Sequence, residues 1–454
     1  MTRMLIIGGS DAGISAALRM RELDAAVEIT IVLADRFPNY SICGLPFFLS
    51  GEVTDWQHLA HRKAEDITSL GIQLLMNHWA ESIDPMQKTV TVKAPDGATK
   101  FMGYDKLILG TGGTSVNPPI QGLDLPGVYP LRWMADSFAV QQHLTDRSPQ
   151  HAVIIGAGYI GLEMADALTL RGLSVTLIQR SSSILKTIDP TLSQLVADEL
   201  TKHGVEVVTD VDIDRIESID KRLLVADSMG FQRVTDLVIV AVGVSPATQL
   251  AQTAGVSLSV NSAIQVNRSM ETNLPDIYAA GDCVETYHRI LGRNIYLPLG
   301  TTAHKQGRVA GENALGGHRK FQGSLGTQVV KIFEVAAART GLRDDEAIAA
   351  GLRPLTVETD VWHHKAYYPG AHSLRIRVTG DRTSGRLLGA QIAGHYQGEV
   401  AKRIDIFATA LFHDMKMDEL NDLDLSYTPP LGSPWDAVQM AAQAWTKQCS
   451  EQAL

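Results

Sequence analysis

Two short stretches constrain what this chain of 454 residues can fold into more than anything else in it. Each runs an apolar strand into a glycine-rich turn and then into a helix. The first is a strand over residues 4–7, then Gly8-Gly9-Ser10-Asp11-Ala12-Gly13, then a helix predicted over about 14–23. The second is a strand over 152–155, then Gly156-Ala157-Gly158-Tyr159-Ile160-Gly161, then a helix to about Arg171. A further strand follows each helix, over 28–33 and 174–178. In such a unit the first glycine makes a tight turn and a small middle residue lets a pyrophosphate approach the backbone. The third glycine lets helix pack on strand, and the phosphates rest at the helix N-terminus. Ser10 stands at the middle position of the first loop and is small enough for close approach. Two such units, far apart in the chain, predict two separate α/β dinucleotide-binding folds.

A chain of this length is too long for one core, so more than one domain is expected. Strand-and-glycine patterns recur at Lys106-Leu107-Ile108-Leu109-Gly110-Thr111-Gly112-Gly113 and at 236–242, followed by Gly243-Val244-Ser245-Pro246. Asn117-Pro118-Pro119 and Gly243–Pro246 mark crossover linkers. Beyond about Leu325 short alternating strands appear over 327–333, 373–378 and 387–392, with a helix near 400–411, as in a compact α+β domain. The predicted division is therefore 1–118 with 245–325, an inserted 119–244, and 326–454.

The net charge of −10 argues against nucleic acid or an anionic membrane as partner. No uninterrupted apolar stretch reaches membrane-spanning length, because the run near 153–170 carries Glu163 and Asp166. The 3 cysteines, Cys43, Cys283 and Cys449, make no disulfide framework, and a reducing cytoplasm is the expected location. Cys43 lies in Ser41-Ile42-Cys43-Gly44-Leu45-Pro46 with no second cysteine nearby. If it reacts it must cycle as one sulfur, through a mixed disulfide, a persulfide or a sulfenic acid. A helix starting at this point, with Pro46 in its first turn, would lower the thiol pKa.

At the end of the strand 28–33, Asp35 stands where an acid would hold an adenine ribose; a surface turn is the alternative reading. The second unit has Gln179-Arg180 there instead. Arg180 can pair with a 2′-phosphate, which favours NADPH or dual use, or it is simply exposed. His363-His364 makes a poor metal site, since neighbours on a strand point to opposite faces, and no metal is expected. Cys449 is expected to be an unused thiol in a polar tail, 446–454.

A third signature, Thr272-x-x-Pro275-x-Ile277-Tyr278-Ala279-Ala280-Gly281-Asp282, is a strand into a glycine turn with one acid. Together with the two dinucleotide folds it resembles the two-dinucleotide-fold flavoprotein reductases, the glutathione-reductase-like group. The solitary Cys43 is similar to the single-cysteine branch: coenzyme A–disulfide reductases, NADH oxidases and NADH peroxidases. Tyr367-Tyr368-Pro369-Gly370-Ala371 and Tyr427-Thr428-Pro429-Pro430 look like motifs of the coenzyme A–disulfide reductases.

The resemblance implies two Rossmann-like domains with a C-terminal dimerisation domain, and FAD with NADPH or NADH as cofactors. FAD would contact Gly8, Ser10, Asp11, Gly13, Asp35, Gly281 and Asp282, and Arg36, Thr111, Gly112, Gly243, Thr302 and Ala303 would also bind cofactor. The pyridine nucleotide would contact Gly156, Gly158, Tyr159, Ile160, Gly161, Glu163, Gln179 and Arg180, with Tyr159 gating the nicotinamide. In a homodimer, Tyr427 and Tyr367 or Tyr368 would reach the other subunit's Cys43 and protonate the leaving thiolate; packing at the interface is their plainer role. Cys283, beside Asp282, would be buried and structural.

Three positions depart from those relatives. Asp11 stands where oxidases and peroxidases hold a histidine, Ile42 where the coenzyme A–disulfide reductases have Asn, and Glu22 where they have a basic residue. The first lowers the peroxidase reading and the other two weigh against coenzyme A itself. The expected activity is NAD(P)H-dependent reduction of a low-molecular-weight disulfide or persulfide through Cys43. The alternatives are an NAD(P)H oxidase working through a cysteine sulfenic acid, or a reductase for a small redox protein.

Overall fold

In the computed structural model, which describes residues 2–259 and 261–452, Arg3–Ile7 is the central strand of a five-stranded sheet. Its neighbours are Lys106–Leu109 and then Ile277–Ala279 on one side, and Glu28–Val32 and then Ile72–Leu75 on the other. All four pairings are parallel. Met4, Leu5, Ile6 and Ile7 are buried on both faces, as an unbroken apolar run in a parallel strand must be. His151–Ile155 occupies the same central place in a second five-stranded parallel sheet. It lies between Ser174–Ile178 with Glu206–Val208 beyond it, and Leu237–Val240 with Val128–Pro130 at the far edge. The two strand–turn–helix units read in the sequence thus each seed a sheet with the same order over four strands, the fifth being Ile277–Ala279, late in the chain, in one and Val128–Pro130, ahead of the unit, in the other.

The helices begin closer to the turns than the apolar pattern suggested. The first spans Asp11–Leu23 and the second Tyr159–Leu170, so Asp11 and Tyr159 are themselves first-turn residues. The third glycine of each loop is sterically required. A Cβ on Gly13 would lie 2.0 Å from the carbonyl oxygen of Gly8, and one on Gly161 would lie 1.9 Å from that of Gly156. The chain leaves the first sheet through Gly113–Ser115 and returns through Val244–Pro246. These two segments pair with each other antiparallel, so both crossings run side by side.

Two three-stranded antiparallel sheets flank the parallel ones: Trp79–Asp84 with Thr89–Lys93 and Thr99–Gly103, and Arg215–Ile219 with Arg222–Ala226 and Gln232–Thr235. The C-terminal region is a five-stranded antiparallel sheet in the order Gln328–Ile332, Val335–Gly341, Leu387–His395, Ser373–Asp381, Pro354–Trp362. The helices Val400–Phe412 and Ala437–Glu451 pack on it. Helix Ala437–Glu451 corrects the expectation of a polar tail. Ala437, Val438, Ala441, Ala442 and Trp445 are buried at helical spacing, and Trp445 Nε1 donates to the Leu355 carbonyl at 2.8 Å. Cys449 lies on this helix, half-buried against the C-terminal core; residues 453–454 lie outside the described residues.

Arg403 ties this region together. Its buried guanidinium donates to Asp436 through Nε and Nη2, to the Gly398 carbonyl at 2.6 Å and to the His363 carbonyl at 2.7 Å. Asp436 in turn caps helix Ala437–Glu451 by accepting from the Val438 N–H at 3.0 Å. Among the described residues no helix is long and apolar enough to cross a membrane.

Candidate active site

Cys43 sits in a single tight turn, Ile42–Gly44, which runs into the short helix Leu45–Ser50. The approach to the turn is held by aromatic packing. Tyr40 stacks on Trp56 at 5.6 Å, and Phe37 and Phe138 meet Trp56 edge-on at 5.5 and 5.3 Å. Helix Leu45–Ser50 packs against helix Tyr159–Leu170, which brings the cysteine turn beside the second glycine unit.

The expectation of a lowered thiol pKa does not hold in this structure. Cys43 presents surface to solvent, but the protein around the sulfur is dense enough to disfavour a thiolate. Burial, then the carboxylates of Glu163, Asp11 and Asp282, push the thiol up, and only Arg132 opposes them.

Tyr159 is held in place by Thr187, whose hydroxyl donates to the phenol oxygen at 3.0 Å. Glu163, one turn further along, has its carboxyl pushed up to about 7 by burial and by Asp166. It shares a recess with Pro46, Phe47, Glu52 and Lys331, and the lysine leans on Asp166 at 3.8 Å rather than on Glu163. Among the described residues no cation pairs with Glu163.

At the first loop, Ser10 is extended, exposed and makes no capping hydrogen bond, so its hydroxyl is free. The corresponding Gly158 is also extended, and a Cβ there would meet nothing within 4 Å. Beside the first loop the buried carboxamide oxygen of Asn39 has no hydrogen-bond partner. Open space at both helix starts and an orphaned polar atom next to one of them fit phosphate-bearing ligands. Asp35 accepts the Phe37 N–H at 2.9 Å and is raised by burial, and Arg36 lies over the Phe37 ring. Gln179 accepts the Ala157 N–H at 3.1 Å, which braces the second loop from the next strand. Arg180 is exposed and, among the described residues, makes no ion pair.

Asp282 follows Gly281, whose φ of +89° makes the turn, and its carboxylate accepts from Arg132 Nη2 at 2.9 Å. Arg132 escaped the sequence reading, because nothing local marks an arginine between Leu131 and Trp133. Thr111 donates to the Ala247 carbonyl at 2.6 Å, and Gly112 and Gly243 both have positive φ. Thr302 and Ala303 are buried in the first turn of helix Gly300–Ala314. Cys283 is buried, its thiol donating to the Ala280 carbonyl.

The tyrosines lie elsewhere. Tyr367, Tyr368 and Tyr427 are exposed on the C-terminal region, Tyr367 at 75%. Lys365 links their two segments, its N–H donating to the Pro429 carbonyl while its own carbonyl accepts from Tyr368 N–H. Leu431 and Trp435 are exposed on the same stretch. His363 and His364 do not point to opposite faces as expected. Both are buried, beyond the strand end at Trp362, with ring centroids 4.1 Å apart. Among the described residues no three His, Cys, Asp or Glu side chains are grouped to hold a metal ion. Glu22 bridges Arg19 and Arg308, and those guanidiniums hold its carboxyl down to about 2.

Comparison with known proteins agrees with this layout. Residues 2–307 match the pyridine nucleotide-disulphide oxidoreductase family, and residues 327–437 match the dimerisation domain of that family. The chain is 34% identical to an NAD(P)H sulfur oxidoreductase (CoA-dependent) of Pyrococcus abyssi over 97% of both proteins. It is 32% identical to an NADH oxidase of Methanocaldococcus jannaschii over 99% of both. A solved NAD-dependent persulfide reductase from A. fulgidus superposes with a TM-score of 0.95 at 35% identity, covering 99% of this chain and 84% of that one. Two parallel dinucleotide sheets, a solitary cysteine between them and an antiparallel C-terminal sheet place the chain in the pyridine nucleotide-disulphide oxidoreductase family, whose members work with FAD and NAD(P)H.

Proposed function

We propose that the chain is a homodimeric, cytoplasmic NAD(P)H oxidoreductase that reduces a small disulfide or persulfide through Cys43. The observation that carries this reading is the solitary Cys43, held on a braced turn against the helix of the second glycine unit. The similarity to a sulfur oxidoreductase and to a persulfide reductase supports it. We assign FAD to 1–118 with 245–325, the pyridine nucleotide to 119–244 and dimerisation to 326–454.

FAD, when bound, supplies the route by which electrons from NAD(P)H reach sulfur. The loop Gly8, Ser10 and Gly13, with Asp35, Thr111, Gly112, Asp282, Thr302 and Ala303, would hold it. Gly156, Gly158 and Gly161 would seat the pyrophosphate of NAD(P)H, with Arg180 facing a 2′-phosphate. Tyr159, fixed by Thr187, would gate the nicotinamide at this loop. The Cys43 thiolate attacks one sulfur of the substrate, the S–S bond breaks and one half leaves as a thiolate. Tyr427 and Tyr367 or Tyr368, exposed on one subunit, would supply the proton to that leaving group on the other. Glu22 stands where a basic residue would meet an anionic substrate and neutralises Arg19 and Arg308 beside it, which favours small or inorganic sulfur species over coenzyme A itself.

The test is anaerobic titration with NADPH and NADH of the flavoprotein and its Cys43→Ser variant, followed by turnover with disulfides and persulfides. A long-wavelength absorbance band in the parent, absent from the variant and accompanied by loss of turnover, is expected. Identical spectra and full turnover in the variant would remove the thiol from the mechanism. The similarity to an NADH oxidase supports a second reading, reduction of oxygen. Stoichiometric oxygen uptake with water as product, in place of disulfide turnover, would select it.

A further inference from the structure

The two faces of the C-terminal sheet differ in kind. One is apolar: Ile376, Val378 and Ile392 share a core with Phe407 and Trp445 of the helices that pack on it. The other bears a polar row. Arg339 stands directly opposite Gln391, Gln391 opposite Arg377, and Arg377 opposite Glu358, across four adjacent strands. Directly paired residues project to the same side of a sheet, so the four side chains form one rank.

All four grip a single stretch, residues 187–191, where the chain enters helix Pro190–Lys202. Arg339 donates to the Thr187 carbonyl at 2.7 Å while it pairs with Glu346. Gln391 accepts the Asp189 N–H at 2.6 Å, and Arg377 pairs with the Asp189 carboxylate at 3.0 Å. Glu358 accepts from the Thr191 hydroxyl at 2.7 Å. Arg339 and Gln391 are buried and bind main-chain atoms, so they fix the path of the backbone. The chain needs this support, since between Ile178 and Pro190 it forms neither helix nor strand, and Leu185 holds a left-handed φ of +43°.

From this held stretch two groups reach the second glycine unit. The Leu185 N–H donates to the Ala157 carbonyl at 2.8 Å, and the Thr187 hydroxyl donates to the Tyr159 phenol oxygen at 3.0 Å. We propose that the row of Arg339, Gln391, Arg377 and Glu358 positions the Tyr159 ring through Thr187. The row grips the chain, the chain orients the Thr187 hydroxyl, and that hydroxyl fixes the phenol. The four are positioning residues, and they join the C-terminal sheet mechanically to the nucleotide site.

The effect on rate rests on Tyr159 gating the nicotinamide, so the position of the ring is read separately from turnover. Fluorotyrosine placed at position 159 of the holoenzyme gives a fluorine NMR line whose shift and width report the ring. Stopped-flow reduction of the flavin by NADPH or NADH reports the gate. Thr187→Val cuts the last link, and Gln391→Leu cuts one grip without leaving a charge unpaired. Each should shift or broaden the fluorine line and slow flavin reduction by about fivefold, the worth of one neutral hydrogen bond. Adding Gln391→Leu to Thr187→Val should change neither reading further, whereas independent structural losses would add. Arg377→Met should repeat the Gln391→Leu result and serves if that variant folds poorly. A parent-like fluorine line in Gln391→Leu and Arg377→Met would overturn the inference, as would additive effects in the double variant. A disturbed line with an unchanged rate of flavin reduction would refute the gating reading of Tyr159 and support the positioning role of the row.

Discussion

Replacing Asp436 by asparagine is the sharpest test of how the C-terminal region is held. The substitution keeps shape and a helix-capping oxygen, so the loss of charge is the main change. Arg403, 3% exposed, would then keep its full positive charge with only the Gly398 and His363 carbonyls and a neutral amide around it. Removing one partner of a buried, multiply bonded ion pair costs about 3–5 kcal/mol, mostly the uncompensated charge left behind. For a region of this size each kcal/mol moves the melting point by about 2–4 °C, so a fall on the order of 10 °C is expected. Thermal unfolding followed by tryptophan fluorescence suits the test, because Trp435 and Trp445 flank Asp436. The double replacement Arg403→Met with Asp436→Leu should recover most of the loss, since no charge then remains to be solvated. An Asp436→Asn melting point equal to the parent's would refute the argument, as would a double variant less stable than both single ones.

Replacing Arg180 by alanine should raise KM for NADPH by about tenfold or more, the worth of a charge-assisted hydrogen bond, and leave KM for NADH nearly unchanged in steady-state assays. Gly161→Ala should melt well below the parent, because its Cβ would lie 1.9 Å from the Gly156 carbonyl oxygen. Gly158→Val should fold normally and show its defect in NAD(P)H affinity, since the space before it is open; titration calorimetry beside a melt separates the two. Glu163 has its carboxyl raised from 4.5 to about 7, so the folded state holds a proton that the unfolded chain gives up. Stability from this group is therefore lost as pH rises from about 4.5 to about 7, by as much as about 3 kcal/mol. Glu163→Gln should thus match the parent near pH 5 in melting experiments and exceed it near pH 8; a gap that does not change with pH would contradict this.

The glycine turns were legible because their demands are local: Gly13 and Gly161 answer to a carbonyl five residues back in the same loop. The solitary Cys43 was legible as a count. Its electrostatics were not, because a helix start is written beside it while Glu163, Asp11 and Asp282 arrive from three other parts of the chain. Distance in sequence hid the other pairings as well. Ser15 and His304 are 289 residues apart, Arg132 and Asp282 150 apart, and neither pair has any local mark. The terminal helix was missed because its polar face, Lys447 and Glu451 among it, dominates the composition over the Ala-rich stripe that Trp445 completes. His363 and His364 were misjudged by extending the strand past Trp362, where it ends.

The side-by-side pairing of Gly113–Ser115 with Val244–Pro246 bears on the order in which the chain assembles. Ile277–Ala279 must join the edge of the first sheet beside Lys106–Leu109, and the whole inserted unit separates them in sequence. As a free coil that insert would make the closure slow and entropically costly. Once the insert has its own sheet, its two ends emerge together and the distant strands are delivered to each other as neighbours. The inserted unit would thereby act as a template for completing the first sheet, and refolding of the first sheet should be paced by the second.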